Sequence, residues 1–95
     1  RDGRKRFPKG NEEMVRVIYS KEFEQDVKKV RDKAVKERMI KQVEKILKNP
    51  EIGKPLRYNL KGERSVYVSP YRLVYALVDD KIFLLRFRHR DDVYE

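Results

Sequence analysis

Residues 71–88 read YRLVYALVDDKIFLLRFR, and this stretch decides the architecture. Tyr71–Val78 and Lys81–Arg88 are two strand-like runs, joined through Asp79-Asp80 as a hairpin turn. Both alternating sets of the first run are largely apolar, with Leu73, Tyr75 and Leu77 against Val74, Ala76 and Val78. The second repeats this, with Ile82 and Leu84 against Phe83, Leu85 and Phe87. Helices can cover only one face of such a ribbon. The other is expected to be partly exposed apolar surface rimmed by Arg and Lys, a place where something docks unless the chain's own N-terminal residues or a second copy cover it.

Upstream, Val15–Tyr19 is a β-rich run, and Ser20 is placed to cap a helix. Phe23, Val27 and Val30 then fall at helical spacing and form one apolar stripe. Asp32 is set to cap a second helix with apolar positions Val35, Met39, Val43, Ile46 and Leu47, stopped by Asn49-Pro50. The short link predicts an antiparallel helical hairpin. Beyond Pro55 the period changes to two: Leu56, Tyr58 and Leu60 alternate, Gly62 turns the chain, and Ser65–Ser69 is a short strand broken by Pro70. The order β-α-α-β-β-β, mostly antiparallel, predicts an α+β fold with the helices on one sheet face. Residues 1–13 carry neither period, so they read as a flexible basic extension, native or not, before a domain at 14–95.

Ninety-five residues allow one small core. No cysteine is present, which excludes disulfides and thiolate metal sites. No apolar run approaches the ~20 residues of a membrane span, so a soluble cytoplasmic protein without membrane contact is the expectation. The net charge of +9 is unevenly spread. Residues 54–90 hold nine Lys or Arg against three acids, amid strands and aromatics. Such a patch attracts a polyanion, nucleic acid first.

The chain has no Gly-rich phosphate loop, and its single His cannot make a multi-histidine metal site, so neither metal nor cofactor is expected. What remains near the strand ends is Arg72, Arg86, Arg88, His89, Arg90 and Tyr94, with Lys61 and Arg64 by the Gly62 turn. This set suits RNA cleavage, because RNA carries its own nucleophile, the 2′-OH. The protein then supplies orientation, proton transfer and positive donors for the phosphate oxygens. Arginine binds those oxygens in pairs. Tyr58, Tyr67 or Tyr71 can stack an unpaired base. Arg72 sits inside an apolar strand and must meet an anion there, either a ligand phosphate or Asp91 or Asp92.

From Asn49 to Tyr94 the sequence resembles the RelE/ParE superfamily of bacterial and archaeal toxins. The parallels are Ile52-Gly53-Lys54-Pro55-Leu56, Asn59-Leu60-Lys61-Gly62, Tyr71–Ala76 and Asp79-Asp80, most like the YoeB branch. The tail His89-Arg90-Asp91-Asp92-Val93-Tyr94 is more like the RelE branch. The resemblance implies a type II toxin that enters the ribosomal A site and cuts messenger RNA. It also implies an antitoxin covering the exposed sheet face in a hetero-oligomer. By position, it implies catalytic roles for Arg72 (scissile phosphate), Arg88 (phosphate or proton donation) and Tyr94 (the 2′-OH), with His89 one position from a family histidine. Lys61, Arg64, Arg86 and Arg90 are the expected RNA-binding rim.

Two departures stand out. RelE has two lysines where this chain has Ser65 and Tyr67, and YoeB has a glutamate after its GKP where this chain continues to Leu56. Two alternatives follow: a ParE-like topoisomerase inhibitor without catalysis, and a toxin-fold protein that only binds RNA or its antitoxin. Register also matters. A two-residue turn at Asp79-Asp80 alone would pair Arg72 with Phe87, so either a longer loop or a bulge brings Arg72 and Arg88 onto one face, or Arg88 lies past the regular ladder.

Overall fold

The computed structural model describes residues 16–56 and 62–92, with the side chain of Asp92 outside the described part. β1 (Arg16–Tyr19) leads into α1 (Lys21–Lys29) and α2 (Lys33–Lys48). The chain continues through β2 (Lys54–Pro55), β3 (Glu63–Val68), β4 (Tyr71–Val78) and β5 (Lys81–His89), ending in a 3₁₀ turn over Arg90–Asp92. The expected α+β order holds, with β2 as one short strand more. This strand ends before the alternation at Leu56, Tyr58 and Leu60, of which residues 57–61 lie outside the described residues. The strand order is β1-β5-β4-β3-β2. β1 runs parallel to β5, and the other neighbours are antiparallel.

Local chemistry sets the helix ends. The Ser20 hydroxyl oxygen accepts from the Phe23 N–H at 2.9 Å, filling one donor that the first turn leaves orphaned. Asp32 does the same for the Ala34 N–H at 2.9 Å. The stripe of Phe23, Val27 and Val30 joins Val35, Met39, Val43 and Ile46 in one buried cluster with Leu73, Tyr75, Ile82, Leu84 and Phe87. α1 lies against β5 and α2 against β3, so the helices cover a single face of the sheet.

The hairpin combines a tight turn with an irregularity. Val78 pairs with Lys81 and Tyr75 with Leu84, but Val74 pairs with Arg86. Leu85 is therefore an extra residue, and the register shifts between Val74 and Tyr75. The bulge keeps Leu84 and Phe87 both facing the helices, although they are three residues apart. It also brings Arg72 opposite Arg88, as expected. Ser20 fixes the spot, donating its hydroxyl to the Leu85 carbonyl at 2.9 Å.

The segment after α2 is tied down by Tyr75. Its hydroxyl donates to the Pro50 carbonyl at 2.6 Å and accepts from the Gly53 N–H at 2.9 Å. Burial pushes the Tyr75 phenol above its usual pKa of 10. Gly53 is pressed so close that a β-carbon there would lie 2.7 Å from this hydroxyl and 2.8 Å from the Ser65 carbonyl oxygen. The GKP glycine is thus required by packing.

Candidate nucleic-acid interface

The bulged register sorts the side chains of the face away from the helices into cross-strand rows. Tyr67, Arg72 and Arg88 form one row across β3, β4 and β5. Ser65, Val74 and Arg86 form the next, and Glu63, Ala76 and Phe83 the one after. Ile18 of β1 extends that last row.

The middle of this face is not the open apolar surface that the sequence suggests. Val74 is fully buried and Ala76 is 6% exposed. The cause lies in the rows: Arg86 donates to the Glu63 carboxylate at 3.0 Å. Because these residues flank β4 on either side, their ion pair must cross β4 between Val74 and Ala76. What stays exposed lies toward the two ends: Tyr67 at 45% near the arginine row, and Ile18 at 37% and Val78 at 46% at the other. Arg86 is therefore a covering residue, already neutralised, and not a free element of a basic rim.

The arginine row is where cations gather. The Arg72 guanidinium carbon lies 5.8 Å from the centroid of the Tyr67 ring, a cation–π contact. Arg90 donates to the Tyr67 hydroxyl at 3.0 Å, and its backbone N–H is held by the Pro70 carbonyl at 2.9 Å. Among the described residues Arg72 has no carboxylate within ion-pair distance. Asp91, one of its two expected structural partners, lies instead 3.6 Å from His89 and 3.8 Å from Arg90. Two guanidinium groups opposite one another repel. The cost is offset on one side only, because Arg88 turns over the sheet edge to Glu22 and Asp26 of α1.

That turn is possible because β1 ends early. Its pairing with β5 stops at Tyr19 and Leu84, leaving the next stretch of β5 edge to α1. Asp26 is buried there at 6% exposure and accepts from the Phe87 N–H at 3.0 Å and from the Arg88 Nε at 3.2 Å. A buried carboxylate with a backbone N–H and a guanidinium is a satisfied group. Sequence reading passed over Asp26. Its position beside Val27 in the apolar stripe was the available signal, since an acid there needs a partner.

The remaining predicted residues separate. His89 is the last residue of β5, not a tail residue, and pairs with Tyr71 on the helix-facing side, opposite the face of Arg72. Its ring meets Tyr71 edge-on at 5.9 Å, and its Nδ1 accepts from the Asp91 N–H at 3.2 Å. With Arg88, Lys29, Val30 and Phe87 it lines a cleft of about 400 Å³ that opens beside Asp26, so His89 shares a cleft with Arg88 although it is turned away from Arg72. Arg64 also faces the helices and donates to the carbonyls of Gly53 at 2.7 Å and Glu51 at 3.2 Å, so it holds the segment after α2. The rim expected at Arg64 is a structural clamp, because the period of β3 points it inward. Lys61, Tyr58 and Tyr94 lie outside the described residues. Among the described residues no cluster of His, Cys, Asp or Glu is large enough to hold a metal ion, and no helix is long and apolar enough to cross a membrane.

Comparison with known proteins adds a family. The model of the ParE toxin of type II toxin-antitoxin system, parDE, matches residues 17–94. Among solved structures, a chain of the toxin–antitoxin complex RelBE2 from Mycobacterium tuberculosis is 26% identical, with a TM-score of 0.69 over 81% of this chain and 99% of that one. YafQ from E. coli strain BL21(DE3) is 24% identical, with a TM-score of 0.65 over 85% of this chain and 99% of that one. A mutant of E. coli toxin RelE in the free state is 20% identical, with a TM-score of 0.71 over 84% of this chain and 87% of that one. The last two speak to the fold alone. No curated protein matches the sequence.

Proposed function

Because the chain belongs to the ParE toxin family of type II toxin–antitoxin systems, we propose that it is the toxin that acts on RNA, a ribosome-dependent endoribonuclease cutting messenger RNA in the A site. The observation that carries this reading is Arg72, a half-buried guanidinium without a carboxylate partner among the described residues, set beside the exposed ring of Tyr67. A charge kept in that position calls for an anion from outside. A phosphodiester supplies it, and an unpaired base beside that phosphate can stack on Tyr67.

The reaction requires no metal, since the 2′-OH of the RNA is the nucleophile. Its oxygen attacks the adjacent phosphorus, the bond from phosphorus to the 5′ oxygen breaks, and a 2′,3′-cyclic phosphate and a 5′-hydroxyl result. One proton leaves the 2′-OH and one reaches the 5′ oxygen. Arg72 binds the non-bridging oxygens as charge grows on them. Arg90 and Arg88 flank it and neutralise neighbouring phosphates. Tyr94, carried over from the family resemblance, is assigned to orienting the 2′-OH, and Lys61 to a phosphate contact near the Gly62 turn. His89 is assigned to the flank and not to the reacting centre, because it faces the other side of the sheet. An antitoxin is the proposed silencing partner, forming a hetero-oligomer by covering the Tyr67–Arg72 row; the relative in the RelBE2 toxin–antitoxin complex supports such a partner.

A second reading, a ParE-like topoisomerase inhibitor without catalysis, is favoured by the description of the matching family and by Arg88 being committed to two carboxylates. Reconstituted translation with mapping of messenger ends separates the two. Site-specific cuts in ribosome-bound message, lost in Arg72→Ala, support the ribonuclease. Intact message together with blocked DNA supercoiling by a purified topoisomerase overturns it in favour of the inhibitor.

A further inference from the structure

Arg88 is held by two carboxylates that differ in kind. Asp26 is anchored: its side chain is 7% exposed, and the same Oδ2 that takes the Arg88 Nε at 3.2 Å also takes the Phe87 N–H at 3.0 Å. Releasing it would strand a buried carboxylate and a buried backbone donor. Glu22 has no such tie to β5. Its side chain is 50% exposed, and it meets only the outer nitrogen of the guanidinium, Nη2. An exposed ion pair of this kind contributes little and exchanges readily.

The carboxylate of Glu22 therefore occupies a guanidinium nitrogen that a phosphate oxygen can also take. A guanidinium binds both groups through the same paired oxygens, and Arg88 lies directly across from Arg72. RNA bound along this row with one phosphate at Arg72 has Arg90 beside Tyr67 on one flank and Arg88 on the β5 flank, and the outer edge of Arg88 is occupied by an acid of the chain's own. We propose that Glu22 is a built-in competitor for the RNA phosphate. It holds Nη2 of Arg88 in the free protein and gives it up when RNA binds, while Asp26 stays in place and keeps the guanidinium aimed. Asp26 is thus a positioning residue and Glu22 an autoinhibitory one. The inference rests on reading the arginine row as an RNA site and adds an internal brake to it.

The test measures binding, apart from cleavage. A fluorescent single-stranded 2′-O-methyl RNA lacks the nucleophile and reports affinity by anisotropy at fixed salt. Glu22→Gln is expected to tighten binding by about two- to fivefold, the factor an exposed ion pair supports. The gain should vanish when Arg88→Ala is the background. Glu37→Gln, the same charge change at an exposed site on α2, measures the unspecific electrostatic contribution. Thermal unfolding checks each variant, and Arg88→Gln replaces Arg88→Ala as background should the alanine variant unfold. A Glu22→Gln gain no larger than that of Glu37→Gln, or one that persists without Arg88, overturns the proposal. If the gain behaves as stated but message stays intact in translation, the ribonuclease reading fails and the brake stands. Cleaved message with no Glu22 effect gives the reverse.

Discussion

Replacing Gly53 by alanine should cost this protein a large share of its stability, for a reason of space. A β-carbon there stands 2.7 Å from the Tyr75 hydroxyl oxygen, 2.8 Å from the Ser65 carbonyl oxygen and 2.9 Å from Tyr75 Cε1. None of these atoms is free to retreat. The Tyr75 ring is fully buried and held by two hydrogen bonds, and the Ser65 carbonyl belongs to the backbone of β3. Overpacking a tight site costs about 1–3 kcal/mol, and weakening the bond from the Gly53 N–H to Tyr75 adds about 1 kcal/mol. The expected loss is about 2–4 kcal/mol, out of a total of roughly 5–14 kcal/mol for a chain of this length. The melting temperature should fall by about 10–30 °C, read by circular dichroism with urea unfolding as a second measure. Tyr75→Phe removes the nearest contact but leaves the Ser65 carbonyl, so it should not rescue Gly53→Ala. A loss below about 1 kcal/mol would refute the packing account and return Gly53 to the search for a chemical role.

Tyr67→Ala should weaken binding of single-stranded RNA by about five- to a hundredfold, the range of one base–aromatic stack, whereas Tyr67→Phe keeps the ring and most of the affinity; equal losses in both would exclude stacking. Ser20→Ala should lower stability by about 1–2 kcal/mol in urea unfolding, since the hydroxyl both caps α1 and holds the Leu85 carbonyl. Burial raises the phenol pKa of both Tyr75 and Tyr19, so the folded state keeps protons that the unfolded chain releases above pH 10. Their contribution is complete below pH 10 and is lost as pH climbs through the raised folded values, so stability should fall with pH there, less steeply in Tyr75→Phe.

Much of the scaffold was legible because its signals are local. Ser20 and Asp32 cap the helices they were expected to cap, and the stripe from Phe23 to Ile46 is buried as its spacing requires. The bulge was one of three readings open to the sequence, beside a longer loop and an Arg88 past the ladder, and the pairing of Arg88 with Arg72 selects it. What escaped depends on pairing between distant segments. The Glu63–Arg86 cover over Val74 exists only in the bulged register, and nothing near either residue announces it. Arg88 was legible as to face but not as to partner, because Glu22 and Asp26 lie more than sixty positions away across the sheet edge. His89 was misplaced because β5 continues one residue beyond Arg88, and the alternation of a strand turns that residue to the helix side. Arg64 was misread for the same reason, its strand parity pointing it at Gly53 and Glu51.

The reading of this protein as an RNA-binding toxin stands or falls with a phosphate held at Arg72. It is tested most directly by the salt dependence of single-stranded RNA binding in the parent and in Arg72→Gln. Each phosphate contact on a single strand contributes about 0.7 to the slope of log K against log salt. The slope should fall by about that amount in the variant, with thermal stability nearly unchanged. An identical slope in the two proteins would contradict it.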